Sequence, residues 1–250
     1  MVQQKIINIT QDYYTCITYG YCEKEKSDTL VVFFHGFAQT MSGSYGLYAL
    51  LAYELQKQGK DFICFDLPGF GDSAGDLKDY SFNDWITLSK KLLTDYVQQY
   101  NSVIFVSNAS GNYIALELSK CFYLKEIFLL EPYKGGLAET NCGKKVLKYL
   151  RNKKGTLINT ADIGEWSLGN DLDKFFCELG AGLNRSRGLL VQKELLITLI
   201  EYDLLKAIKE TNVTIHLYHD IGNDNRDNLF MSARSRERVV KFMRQIVANM

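Results

Sequence analysis

Residues 66–73 read DLPGFGDS, and they directly follow the short apolar run FICF at residues 62–65. A brief, continuous run of large apolar residues is typical of a strand buried on both faces, as in a parallel sheet. The proline and the two glycines that come next are residues that favour a tight turn. The stretch therefore predicts a buried strand whose carboxyl end carries a polar, turn-rich loop.

Four other apolar runs have the same character, and each ends in polar or turn-forming residues: LVVFF at 30–34, VIFV at 103–106, IFLL at 127–130 and VTIHLY at 213–218. Between these runs, apolar residues recur at helical spacing, which predicts helices over residues 45–58, 85–97 and 113–121. Ser81 and Asp84 form a capping-box pattern that begins the second of these helices. Strands alternating with helices predict parallel crossovers and a three-layer α/β sandwich.

Two regions of the chain depart from this alternation of buried strands and helices. Residues 13–21 alternate with a period of two, which predicts a half-exposed antiparallel strand. Residues 134–212 are far longer than one crossover helix requires and contain helical patterns at 144–151 and 189–208. We therefore predict a core formed by residues 1–133 and 213–250, with residues 134–212 inserted as a helical cap over the carboxyl edge of the sheet.

The composition excludes several classes of protein. The 29 basic and 29 acidic residues balance, so there is no global electrostatic case for nucleic acid or an anionic membrane as a partner. No apolar stretch approaches the ~18 residues of a membrane span, and the first ten residues lack a leader pattern. The six cysteines form no CxxC pair. We expect a cytoplasmic protein with no metal, no cofactor and a small-molecule partner.

The residues after the first three buried runs form an ordered set: His35-Gly36-Phe37, then DLPGFGDS, then SNASGN at 107–112 running into a helix. This order resembles the α/β-hydrolase superfamily, in which HG, DxPGxGxS and a G-x-S-x-G nucleophile elbow follow successive strands. The resemblance covers residues 30–132 well and is weaker over 213–247. It implies a mostly parallel sheet with an inserted helical cap and chemistry at the carboxyl ends of the strands.

An ungapped comparison with the elbow places Ser107 at the first glycine, Ala109 at the nucleophile and Gly111 at the second glycine. A methyl group cannot attack a carbonyl. Ser110 is one residue further on, and we expect its side chain to point into the first turn of the helix. The resemblance assigns oxyanion-hole donors to the backbone N–H groups of Phe37 and Ser110. It assigns His35, Gly36 and Gly111 to shaping the site.

The remaining members of a catalytic triad are less well marked. The acid is expected after the strand at 213–218, where Asp224 is favoured over Asp220, with Glu131 as an alternative after the preceding strand. The family places its histidine after one further helix and strand. A helical stripe exists over residues 239–247, but the last histidine of the sequence is His219. We expect either a truncated form that lacks the final strand and its histidine loop, or catalytic machinery that has decayed.

Two hypotheses remain open. In the first, the protein is a serine hydrolase or acyltransferase acting on a small ester, thioester or amide, with the acyl group possibly carrier-bound, and its nucleophile is replaced by Ala109. In the second, it is a non-catalytic pseudohydrolase that binds an acyl ligand or a protein. Both predict almost no activity for the chain as written. A lysine- and arginine-rich run at residues 144–154 fits an anionic ligand, but more simply the solvated face of a helix.

Overall fold

The computed structural model describes the chain in five segments and four isolated residues of a terminal helix: residues 1–21, 27–43, 46–130, 136–164, 188–218, 237, 240, 241 and 244. Within these residues the backbone forms one large sheet and one small one, with helices on both faces of the large sheet.

The large sheet has seven strands: β1 (Val2–Asn8), β2 (Tyr14–Gly20), β3 (Thr29–Phe34), β4 (Asp61–Phe65), β5 (Ser102–Asn108), β6 (Glu126–Leu130) and β9 (Thr214–Tyr218). Their spatial order is β1-β2-β4-β3-β5-β6-β9. The first two strands run antiparallel to their neighbours, and the five others are parallel to one another. The carboxyl ends of these five strands therefore lie at one edge. A small antiparallel sheet joins β7 (Leu157–Asn159) to β8 (Leu190–Gln192).

Among the described residues, seven α-helices have defined bounds: α1 (Leu47–Lys57), α2 (Phe82–Val97), α3 (Gly111–Ser119), α4 (Asn141–Asn152), α5 (Thr160–Gly164), α6 (Lys193–Glu201) and α7 (Leu204–Glu210). Short 3-10 turns lie at Leu77–Asp79 and Leu137–Glu139. Residues 237, 240, 241 and 244 are also helical.

The alternation of side chains along β3 shows how the layers divide. Leu30, Val32 and Phe34 pack into the larger apolar cluster, which also contains residues of α2, α3 and α6. Val31 and Phe33 pack into a second cluster with α1 and Val240 of the terminal helix. Because successive side chains of a strand point to opposite faces, a run that is apolar at every position is buried from both sides. The predicted three-layer α/β architecture is confirmed.

Most predicted elements are present, including the capping box, in which the Ser81 hydroxyl accepts from Asp84 N–H and the Asp84 carboxylate accepts from Ser81 N–H. The helical pattern predicted over residues 189–208 is present from residue 193 onward and is divided between two helices. Residues 190–192 form β8, and the helix that follows is broken at residues 202–203. The Asp203 side chain accepts from Lys206 N–H and so begins a new helix. Asp is favoured at such a start, which the apolar periodicity does not reveal.

The region predicted as a cap contacts the core at several points. Helix α6 packs on α2, the small sheet contacts the 3-10 turn at Leu77–Asp79, and α7 packs on α3. The division of the chain into core and cap stays a prediction. In the described part of the chain the large sheet ends at β9, and the terminal helix joins the α1 side through an Arg244–Glu54 ion pair of 2.7 Å.

Candidate active site

Three loops meet at the carboxyl edge of the parallel strands: those after β3, β4 and β5. Leu67 N–H, after β4, donates to His35 Nε2, after β3, over 3.0 Å. Phe37 N–H, after β3, donates to the Ser110 hydroxyl, after β5, over 2.8 Å. The structure thus brings together the three stretches that carry the resemblance noted in the sequence.

The loop after β4 is organised around the buried carboxylate of Asp66. Its Oδ1 accepts from Met41 N–H over 2.7 Å, and its Oδ2 accepts from Asp72 N–H over 3.0 Å. Burial raises the pKa of Asp66, and the two hydrogen bonds oppose that rise. A Cβ at Gly71 would lie 2.3 Å from this carboxylate, and Gly71 also has a φ of +51°, so only glycine fits there.

Further contacts within the same loop are also structural. The Ser73 hydroxyl accepts from Phe70 N–H over 3.1 Å and lies 2.8 Å from the Leu67 carbonyl oxygen. Trp85 of α2 donates its indole N–H to the Pro68 carbonyl over 3.1 Å. The DLPGFGDS stretch is therefore explained by the shape of its own loop.

His35 is fully buried and joins two of the loops. Its Nε2 accepts from Leu67 N–H, so its Nδ1–H donates to the Gly36 carbonyl oxygen, 2.9 Å away. Burial lowers the pKa of His35 to about 4, so the ring is neutral at pH 7. Because both nitrogens are engaged, the ring shapes the loop and is poorly placed to accept a proton from a ligand.

The turn after β5 has an unusual backbone. Ala109 lies between the end of β5 and the start of α3, and its φ is +49°. This left-handed conformation is costly for a residue with a Cβ, by roughly 1–2 kcal/mol. Two residues later, a Cβ at Gly111 would lie 2.3 Å from the Phe34 carbonyl oxygen, so the helix can approach β3 only because residue 111 is glycine.

Buried polar side chains hold the turn in place. The Asn108 amide donates to Gln39 Oε1 over 3.1 Å, and Gly36 N–H donates to the same oxygen over 3.2 Å. The Ser107 hydroxyl donates to Asn112 Oδ1 over 2.8 Å, and the Asn112 amide donates to the Leu130 carbonyl of β6 over 3.2 Å. The turn is thereby connected to the strands on both sides of it.

Two of these residues were not identified from the sequence. Asn112 could have been noticed as a polar residue near the start of an otherwise apolar helix. Gln39 carries no comparable signal, because its position depends on how the loop after β3 folds back toward β5.

The side chain of Ser110 differs from the expectation. It does not bond the first turn of α3; instead its Oγ accepts from Phe37 N–H. Ser110 already has helical torsion angles, φ −67° and ψ −16°, and its side chain forms no capping hydrogen bond with the helix. The roles of Phe37 and Ser110 as oxyanion-hole donors stay predictions.

Several predicted residues lie outside the described part of the chain: Asp220, Asp224, His219 and Glu131. His216 lies on β9, and its ring stacks on that of Phe128 of β6 with a centroid separation of 4.4 Å. Among the residues whose placement is described, no group of histidine, cysteine or acidic side chains is arranged to hold a metal ion.

Comparison with known proteins decides the family. The model of the alpha/beta hydrolase family matches residues 31–240. The chain belongs to the alpha/beta hydrolase family. This alpha/beta hydrolase has no significant match among curated protein sequences. In the described segments, none of its helices has the length and apolar character needed to cross a membrane.

Solved structures agree on the fold. Alpha/beta hydrolase domain-containing protein 10 from mouse is 12% identical, with a TM-score of 0.66 and 99% coverage of both chains. Est1E from Butyrivibrio proteoclasticus, solved with ferulic acid, is 11% identical, with a TM-score of 0.64 and 98% coverage of both. The thioesterase domain from the curacin biosynthetic pathway is 13% identical, with a TM-score of 0.57 and 100% coverage of both. These identities establish the α/β-hydrolase fold alone.

Proposed function

We propose that this alpha/beta hydrolase binds a small acyl compound at the turn after β5 and, as the chain stands, does not hydrolyse it. The ligand class is an ester, thioester or amide, free or attached to a carrier, or the acid derived from it. One observation carries the proposal: the turn holds Ala109 at a φ of +49°, and the side chain presented there is a methyl group. A methyl group can form no acyl-enzyme.

Ser110 is the nearest hydroxyl in the sequence, and it does not replace the missing nucleophile. Its oxygen accepts from Phe37 N–H, which is a donor that would bind the oxygen of a ligand carbonyl. A nucleophile must instead face the carbonyl carbon while the carbonyl oxygen occupies the donors. The Ser110 hydroxyl therefore competes with the ligand oxygen for the hydrogen bond from Phe37 N–H.

The second candidate function is a serine hydrolase or acyltransferase whose nucleophile has been replaced. Family membership favours it, as does the position of residue 109 before α3, where a helix N-terminus stabilises negative charge. With a serine at 109, its oxygen would attack the carbonyl and pass its proton to a histidine oriented by Asp224 or Asp220. The acyl group would then move to water or another acceptor.

Equilibrium binding of octanoate and hydrolysis of p-nitrophenyl octanoate test the first proposal. We expect the native chain to bind octanoate and to leave the ester hydrolysed no faster than in buffer. Ala109→Leu, which adds three carbons at the turn, should weaken octanoate binding at least about 10-fold, a loss of 1.4 kcal/mol. Ala161→Leu is the matched control on the exposed surface of α5 and should bind like the native chain.

The opposite results are equally clear. Hydrolysis by the native chain well above the buffer rate, or octanoate binding unaffected by Ala109→Leu, would contradict the proposal.

Ala109→Ser separates the two candidate functions. In a fluorophosphonate reaction the serine oxygen forms a bond to phosphorus, and fluoride leaves with the hydroxyl proton. Stoichiometric labelling of residue 109 in Ala109→Ser, with none in the native chain, would support a replaced nucleophile with working partners. An unlabelled Ala109→Ser that still binds octanoate would support the non-catalytic function.

A further inference from the structure

The Phe37–Ser110 hydrogen bond links two loops that are distant in sequence. Its donor and acceptor are 73 residues apart and 2.8 Å from each other. Phe37 is fully buried, and Ser110 is only 1% exposed. A backbone N–H in such a place requires an acceptor, because a buried donor that is left unpaired destabilises the fold. The Ser110 hydroxyl therefore supplies the acceptor for Phe37 N–H that a water molecule would supply at an open site.

The geometry of Ser110 keeps its hydroxyl in this position. The residue precedes α3 and has helical torsion angles, yet its side chain caps no backbone N–H of that helix. Its neighbour Gly111 is held against the Phe34 carbonyl of β3, which brings α3 close to the loop containing Phe37. The start of α3 and the loop containing Phe37 are thus held close together, and the Ser110 hydroxyl lies within hydrogen-bond distance of Phe37 N–H.

We propose that the Ser110 hydroxyl is an internal occupant of the position where an acyl oxygen would bind Phe37 N–H. This inference rests on the proposed function and adds a residue that controls ligand affinity. An acyl oxygen must displace the hydroxyl before it can accept from Phe37. Since a hydrogen bond contributes about 0.5–1.5 kcal/mol net, removing this competitor should tighten binding about 3- to 10-fold.

Octanoate binding to the native chain and to Ser110→Ala tests the proposal. Ser119→Ala is the matched control, because it removes another buried hydroxyl of α3 that donates to the Leu116 carbonyl over 2.7 Å. Octylammonium serves as a second probe, since it has an alkyl chain of similar length and its charged group can donate hydrogen bonds but cannot accept one. We expect Ser110→Ala to bind octanoate about 3- to 10-fold more tightly, with no change for octylammonium and no change in Ser119→Ala.

A second measurement uses the native chain alone and so does not depend on how a variant folds. In a ¹⁵N-labelled sample, the amide resonance of Phe37 should move on titration with octanoate, because its acceptor changes from the hydroxyl to the carboxylate. Octylammonium, which has no acceptor atom, should leave it unchanged. A Phe37 resonance that stays fixed while octanoate binds would overturn the inference.

The outcomes separate the two proposals. If the native chain binds octanoate and Ser110→Ala binds it no more tightly, the inference is wrong and the proposed function stands. If only Ser110→Ala binds octanoate, the inference is supported and the native chain is closed to this ligand. If none of the variants binds octanoate, both proposals are wrong.

Discussion

The loop after β4 and the turn after β5 lie side by side at one edge of the sheet, and they are held in different ways. In the first, the residues of the family pattern hold the loop in shape: Asp66 and Ser73 accept from its backbone, Asp66 also accepts from Met41 N–H of the loop after β3, and Gly71 makes room for Asp66. In the second, the backbone at Ala109 has a strained left-handed conformation, although the methyl group that it positions can neither form a hydrogen bond nor act as a nucleophile.

This difference changes how strongly the sequence pattern supports a catalytic function. At first sight, an intact DLPGFGDS stretch favours a working enzyme. Each of its contacts, however, is one that a folded chain needs whether or not it catalyses a reaction. The same holds for Gly111, which is required by the close approach of α3 to β3. The choice between enzyme and binding protein therefore rests on residue 109 and on the residues that would serve it.

The largest expected effect is that of Gly111→Ala, which tests whether the turn depends on close packing. The added Cβ would meet the Phe34 carbonyl oxygen at 2.3 Å, a backbone atom that cannot move alone. We expect a loss of about 3 kcal/mol or more in the free energy of unfolding, measured by urea denaturation. Gly155→Ala is the control: no atom lies within 4 Å of that Cβ, so only its φ of +91° opposes the change. Equal losses in the two variants would contradict the packing account.

The pH dependence of stability tests the role of His35 between the two loops. Because its folded pKa is depressed to about 4 from 6.5, the unfolded chain binds the proton first as the pH falls. The contribution of neutral His35 to the free energy of unfolding is therefore complete above pH 6.5. It is lost as the pH falls toward 4, and the loss is about 3 kcal/mol in all. Urea denaturation of His35→Gln should lack this part of the slope, and His216→Gln, on β9, should retain it. A native slope preserved in His35→Gln would refute the assignment.

Asp66→Asn tests the loop after β4 directly. The substitution replaces one of two accepting oxygens by an NH₂ group that faces a backbone N–H. We expect a loss of about 2 kcal/mol in the free energy of unfolding, since a buried donor is left unpaired. Asp72→Asn makes the same chemical change at an exposed position six residues away and should cost less than ~0.5 kcal/mol. Similar losses at both positions would show that the loop is not organised around Asp66.

The smallest effect has the opposite sign. Ala109→Gly removes the cost of a left-handed conformation and should stabilise the chain by about 1 kcal/mol. Ala115→Gly, in the middle of α3, should destabilise it by at least that amount, because glycine weakens a helix and the side chain is fully buried. Thermal denaturation compares the two, and a destabilising Ala109→Gly would mean that the turn carries no strain.

Much of the fold could be predicted from the sequence because buried parallel strands have a distinctive apolar pattern. Residues 30–34 illustrate this, since every side chain of that run is buried on one face or the other. Strand β1 and the short strands β7 and β8 were not predicted. Their pairing depends on partners elsewhere in the chain, and their side chains are largely exposed or too few to form a pattern.

The site was predictable only in part for a similar reason. Local spacing located Ala109, Ser110 and Gly111 on one turn, because a strand and a helix are adjacent in sequence there. The contact between Ser110 and Phe37 depends on how two separate loops approach each other across the sheet edge. No local pattern encodes that distance.

The most direct test of the central claim is acyl transfer to a thiol introduced by Ala109→Cys. A thiolate at the start of α3 should attack S-octanoyl-N-acetylcysteamine, forming a new thioester and releasing N-acetylcysteamine. Peptide mass spectrometry compares that thiol with Cys121, an exposed free cysteine of the same chain. The account predicts acylation at position 109 at least about 10-fold faster than at Cys121. Acylation at position 109 no faster than at Cys121 would contradict the claim that this turn presents residue 109 to an acyl ligand.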